Sequence, residues 1–322
     1  MSESSPWDEI AVPCVDFNVR QVALDTAVGC FWGRDANGDC LFIVELQGDH
    51  TAYFRRSVIS VNGVNVDLRV GGKSYQRLVL TLEKEVDRDL FESLCITMAA
   101  ELKHASDSAA SLAIALTHIR RWKSFLAGRS KQLLSKDQMR GLYAELTFLL
   151  ELIDDLQSTA VAIDAWLGPA GSHQDFFFGN SAIEVKSLSG SERSAVRISS
   201  EDQLESLNDY LFLRIYRIST VPEAPRARSL NAIVNEVQSR IIGPEVIEEF
   251  DRKLALCGYA PLPEYDEPLF VISDIRSYRV AGDFPRVVRS QLPVGVAKLE
   301  YEIRLEAIAR YECEGSKLFR SI

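Results

Sequence analysis

The chain has 322 residues, 47% of them hydrophobic and 25% charged, with a net charge of −10. This composition supplies a sizeable core, in two modest domains or one core with an elaborate extension, and excludes a disordered chain. The acidic balance excludes indiscriminate nucleic-acid binding through bulk charge, although a local basic surface is still open.

No apolar run reaches the roughly 18 residues needed to span a bilayer. The opening MSESSPWDEI lacks the basic-then-apolar pattern of a signal peptide, so a soluble, cytoplasmic protein is expected. Cys14, Cys30, Cys40, Cys95, Cys257 and Cys313 show no CxxC pairing and no alternation with histidine. They read as reduced core thiols, not a zinc site.

Residues 1–82 are β-rich. Strands are expected at 27–32 and 40–46 around a Gly33–Gly38 loop, at 58–61 and 64–70 around Asn62-Gly63, and at 75–82. Helical periodicity then takes over at 87–102 and 109–126. A third helix begins at Ser135, where Ser135 and Gln138 fit a capping box, and runs to about 156. Strands are expected at 160–166, 175–178 and 182–187, a short helix at 201–207, and a strand at 210–218. A Pro- and Arg-containing linker follows at 221–228. Helices at 229–241 and 244–256 and strands at 269–272 and 301–305 complete the chain. The expected organisation is a β-rich domain at 1–105, an α/β core at 106–220 and an α+β extension at 221–322.

The segment Gln174–Ser187 reads QDFFFGNSAIEVKS. Gly179-Asn180 suits the positive φ of a two-residue turn. That turn pairs 178 with 181, 177 with 182, 176 with 183, and 175 with 184. Asp175 then stands opposite Glu184, and Lys186 shares Glu184's face because strand side chains alternate. Opposed carboxylates repel unless a cation lies between them, and Mg²⁺ suits oxygen ligands of this kind. Lys186 is placed to orient or acidify a water, or to stabilise charge on a phosphorane. A one-residue slip would destroy the arrangement.

On the helix from Ser135, Met139, Leu142, Leu146, Leu149, Ile153 and Leu156 form the apolar stripe, and Glu145 falls at its edge. It is either a boundary residue reaching solvent or Arg140, or an acid drawn inward that needs a cation or a hydrogen bond.

These residues carry a resemblance. An Asp at one strand's start, then Glu184-Val185-Lys186 on the next, resembles the PD-(D/E)XK nuclease superfamily, the fold of many restriction endonucleases. The wording RGLYAELTFL, AWLGP, DFFF and IEVKS is similar to a bacterial group assigned to that superfamily, some of whose members are linked with restriction or phage-defence gene clusters. The resemblance implies an αβββαβ core over about 135–218. It implies Mg²⁺, with Mn²⁺ as a substitute, held by Asp175 and Glu184 with the Val185 carbonyl. Glu145 is implied as a further metal-site acid and Gln203 as a supporting catalytic residue. Many members have Pro before the Asp, where this chain has Gln174.

The implied activity is hydrolysis of phosphodiester bonds in DNA; the alternative is an inactive nuclease-fold subunit that binds duplex DNA or partner proteins of a defence complex. A homodimer is also open. For nucleic-acid contact, His118–Arg140 holds seven Lys or Arg and one Asp, which is either a solvated helix face or a phosphate-contacting strip. Arg120, Arg121, Lys123, Arg129 and Lys131 are its candidates, with Arg193 and Arg197 after the motif. Gly71-Gly-Lys-Ser74 is no P-loop, because position 67 is Asp and the segment leads into a strand. His173 is either an assistant to the site or merely exposed, and Trp166 a core residue or a base-stacking one.

Overall fold

In the computed structural model, residues 5–23, 26–57, 63–72, 74–83, 87–127, 133–190, 195–220, 224, 226–296 and 298–319 are described. The chain packs as two compact units, 1–131 with 258–263, and 132–257 with 264–322.

The first unit is an antiparallel five-stranded sheet with helices. Its elements are β1 (Phe17–Gln21), β2 (Cys30–Asp35), β3 (Cys40–Gln47), α1 (Thr51–Ser57), β4 (Val64–Val70), β5 (Tyr75–Leu82), α2 (Arg88–Leu102) and α3 (Ser108–Ala127), with sheet order β1-β2-β3-β5-β4. The alternating and β-branched runs at 40–46, 64–70 and 75–82 became strands as their composition requires. Position 62 and the 58–61 strand lie outside the described residues. Trp7 anchors the core: fully buried, it donates to the Leu41 carbonyl at 2.8 Å and stacks on Phe91. β1 and α1 escaped the sequence reading because both are short and largely exposed.

The second unit comprises α4 (Lys136–Leu156), α5 (Thr159–Ala165), β6 (Phe176–Phe178), β7 (Ser181–Ser189), β8 (Ala195–Ile198), β9 (Tyr210–Thr220), α6 (Leu230–Arg240), α7 (Pro244–Leu256), β10 (Phe270–Arg279), β11 (Tyr301–Arg304), α8 (Leu305–Ile308) and β12 (Glu312–Cys313). Its mixed sheet runs β12-β10-β9-β7-β6, with β7 and β9 parallel and the other pairs antiparallel. β8 and β11 form a separate two-stranded ribbon. α4 packs on β7, α5 and α6.

The capping box at the start of α4 is complete: the Gln138 amide donates to Ser135 Oγ at 3.3 Å, and the Ser135 amide to Gln138 Oε1 at 2.9 Å. Two further expectations are corrected. Residues 160–166 are helix α5, not a strand. Ser158 caps it by accepting from the Val161 amide, and its small alanines only imitate β alternation. Residues 201–207 are not a helix: 201–204 form a turn in which the Gln203 and Glu205 amides bond the Ser200 and Asp202 carbonyls, and Gln174 Nε2 ties it down by donating to the carbonyls of Asp202, Gln203 and Glu205. The αβββαβ order expected for 135–218 therefore reads α4, α5, β6, β7, β8, β9 among the described residues. The coarser expectation stands: an α/β protein with a mixed sheet flanked by helices.

Removing the cap on α4 should cost stability alone. Ser135→Ala is expected to destabilise the protein by about 1 kcal/mol in urea unfolding. A change within error would show that the capping bonds contribute nothing.

Candidate functional site

The hairpin follows the register its turn dictates. Phe176 pairs with Ile183, Phe177 with Ala182 and Phe178 with Ser181, and Gly179 takes a φ of +55°. Asp175 lies one residue before β6. Its Oδ2 accepts from the Val185 amide at 2.8 Å, which fixes it beside Glu184. Glu184 and Lys186 alternate with Ile183 and Val185 along β7, between β6 and β9.

The chemistry is concentrated in Glu184, which is 1% exposed. Lys186 Nζ is 2.8 Å from its Oε1, a charge-assisted contact, and among the described residues no donor reaches Oε2. Lys186 also donates to Gln203 Oε1 at 3.0 Å, and that oxygen accepts from the Ser199 amide at 2.9 Å. Gln203 is thus brought to the site by a turn. Gln174, at the position where many PD-(D/E)XK members have Pro, clamps that turn.

Glu145 enters from α4. Its Oε2 accepts from the Trp166 indole at 2.8 Å. The Leu167 and Gly168 amides donate to the Asp175 carbonyl at 2.7 and 3.0 Å, so residues 166–168 tie the two acids together. Gly168 is needed for closeness. A Cβ there would meet Asp175 Oδ1 at 2.9 Å and Glu145 Oε2 at 3.1 Å. Nothing in the sequence marked the indole bond.

The charges are strongly perturbed. Burial, then the charge of Asp175, pushes the Glu145 carboxyl up to about 8. Burial also raises Asp175, against the opposing pull of Lys186 and the Val185 amide. Glu184 is held well above the carboxylate range by burial and by Asp175. Burial draws the Lys186 ammonium down, but Glu184, Asp175 and Glu145 outweigh it and keep it above the usual lysine value. Burial and the same two acids, Glu145 and Asp175, raise the thiol of Cys257, at the end of α7. Such a grouping is what an absent cation would relieve.

Asp175, held through Oδ2 by the Val185 amide, and Glu184, whose Oε2 has no described partner, fit one hard divalent cation, since Mg²⁺ commonly takes one or two carboxylates with water completing its shell. Among the described residues, however, no three or more His, Cys, Asp or Glu side chains are grouped to hold a metal ion.

The family model described as "Putative PD-(D/E)XK family member, (DUF4420)" matches residues 4–306. The chain belongs to this family. No curated protein and no solved structure matches it. No helix among the described residues is long and apolar enough to cross a membrane.

Arg120 is half-buried on α3 and donates to the Ser57 carbonyl at 3.4 Å, within the first unit. His118, at the head of the basic strip, is fully buried and hydrogen-bonded to Thr97, so it belongs to the core. Arg121 and Lys123 lie on α3; Arg129, Lys131 and Arg193 lie outside the described residues. Arg197 is exposed on β8 and ion-paired with Glu300. His173 is exposed, with Nδ1 3.9 Å from Asp202 Oδ2. Trp166 is fully buried, which fits a core role and not base stacking.

Two outcomes follow. Gly168→Ala should fold yet weaken Mn²⁺ binding about tenfold in calorimetry, because the new methyl displaces both acids; unchanged affinity would show that the close approach is not needed. For pH, an unfolded Glu loses its proton near 4.5, whereas folded Glu145 keeps it to about 8. The folded state binds more protons in that window, so this contribution to stability is full below 4.5 and lost as pH rises through 8. In EDTA, Tm should fall across this range, and Glu145→Gln should flatten the fall. An equally steep fall in the variant would remove Glu145 from the account.

Proposed function

We propose that this chain acts on DNA, in a restriction or phage-defence setting, through a one-cation centre at Asp175 and Glu184. The observation that carries this reading is the buried Glu184 carboxylate, set beside Asp175, with the Lys186 ammonium 2.8 Å from Oε1 and no hydrogen-bond partner for Oε2 among the described residues. Mg²⁺, or Mn²⁺ in its place, would supply Lewis-acid activation of a phosphodiester and of an attacking water. Asp175 and Glu184 would hold it, with the Val185 carbonyl assisting. Lys186, steadied by Gln203, keeps positive charge where the phosphoryl oxygens gain negative charge or the water loses its proton. Glu145, held by Trp166, adds an acid beside the same ion. Arg120, Arg121, Lys123, Arg129, Lys131, Arg193 and Arg197 are the candidates for phosphate contacts.

A second reading is a subunit that binds DNA or a partner protein without cutting, as a single copy or a homodimer. It is favoured by the described charge cluster, in which Lys186 is spent on Glu184 and Gln203 and no three-acid grouping forms. On those observations binding is the better supported of the two activities, and hydrolysis requires the cation to take over from Lys186 at Glu184.

Incubation with supercoiled and linear DNA plus Mg²⁺ or Mn²⁺ separates the readings. The hydrolytic one expects cleavage by the wild type that falls at least about a hundredfold in Asp175→Ala and in Lys186→Ala. Cleavage that survives both substitutions contradicts the site. DNA or partner binding without cleavage, and without divalent-cation binding in calorimetry, establishes the second reading.

A further inference from the structure

Lys253 has no part in the motif, yet it is 3% exposed. From α7 its Nζ donates to the carbonyls of Ile163 and Trp166 at 2.6 and 2.7 Å, with Asp164's carbonyl at 3.4 Å. These carbonyls belong to the C-terminal end of α5 and the residue that follows it, where a cation is favoured; that of Ile163 also accepts from the Trp166 amide at 3.1 Å. The nearest acid is Glu249, 3.8 Å away and already paired in fork fashion with Arg252. The ammonium is therefore stabilised chiefly by three main-chain oxygens. A buried ammonium is costly unless its partners stay in place.

Those partners are the start of the strut that holds the site. The Trp166 indole donates to Glu145, and the next two amides donate to the Asp175 carbonyl. Trp166 also bridges to Phe176 and packs on Phe250 of α7, with ring centroids 6.0 Å apart. The Cys257 thiol, at the end of α7, lies within electrostatic reach of both acids. We propose that Lys253 is a positioning residue of the carboxylate centre: by gripping the carbonyls of Ile163 and Trp166 it fixes the strut that aims Glu145 and Asp175. This rests on the reading of Asp175 and Glu184 as a cation site, and it assigns part of the C-terminal extension to building that site.

The test uses the full chain with Lys253→Met, which keeps the apolar stem and removes the donors, and Lys253→Arg, which keeps the charge in a planar fork. Two quantities are read. One is the Trp166 indole N–H resonance, assigned by its disappearance in Trp166→Phe; the other is Mn²⁺ affinity by calorimetry. In Lys253→Met the indole resonance should move and affinity should fall about tenfold or more, the range seen when groups supporting metal ligands are lost. Lys253→Arg should lie between it and the wild type. If Lys253→Met does not fold, Lys253→Arg carries the test, with a moved indole resonance and an affinity loss of about threefold expected. An indole resonance and affinity equal to wild type in a folded variant overturn the proposal. If the wild type itself binds no Mn²⁺, the cation reading fails, and the indole resonance alone still decides whether Lys253 holds the strut.

Discussion

Glu184 is a buried carboxylate on β7, packed between β6 and β9, with the Lys186 ammonium at Oε1 and no donor among the described residues at Oε2. A group in that position must be neutralised, by a proton or by a cation, and much of the second unit answers that requirement. Lys186 comes from two residues along the same strand. Asp175 is pinned by the Val185 amide, and Gln203 steadies the ammonium. The same burial that makes Glu184 costly strengthens the charge interactions around it, because water is excluded.

Around this centre the fold supplies two clamps. On one side Trp166 and the 167–168 amides tie Glu145 of α4 to Asp175. On the other, Gln174 binds three carbonyls of the 202–205 turn. Arg289 pairs with both Glu201 and Asp202, and the Arg286 guanidinium reaches the Leu204 carbonyl at 2.6 Å. The residues after 220 are therefore not appended to a finished core; they hold the turn that carries Gln203. Gln174 shows how one substitution changes the local device. Where many PD-(D/E)XK members have a proline, this chain has an amide that builds the turn.

The hairpin was legible in the sequence because its determinants are local. Gly179-Asn180 sets the turn, the period-2 pattern sets the faces, and together they place Asp175, Glu184 and Lys186 without tertiary information. The capping box of α4 was legible for the same reason. What the sequence concealed depends on contacts distant in the chain. Residues 160–166 alternate like a strand but are held as a helix capped by Ser158 at one end and Lys253 at the other. The helix expected at 201–207 is replaced by a turn that Gln174, from an earlier part of the chain, ties down. Nothing near Lys253 in the sequence marks it, since an ammonium satisfied by main-chain oxygens leaves no motif. Family membership over residues 4–306 agrees with the motif and extends well beyond it.

The central claim is that Asp175 and Glu184 form one cation site whose charge Lys186 balances when no metal is bound. Crystals soaked in Mn²⁺ and examined by anomalous scattering test this most directly. A single anomalous peak between the two carboxylates, with the Lys186 ammonium drawn away from Glu184, is the result expected. A map with no peak there at saturating Mn²⁺, and Lys186 still seated on Glu184, would contradict it.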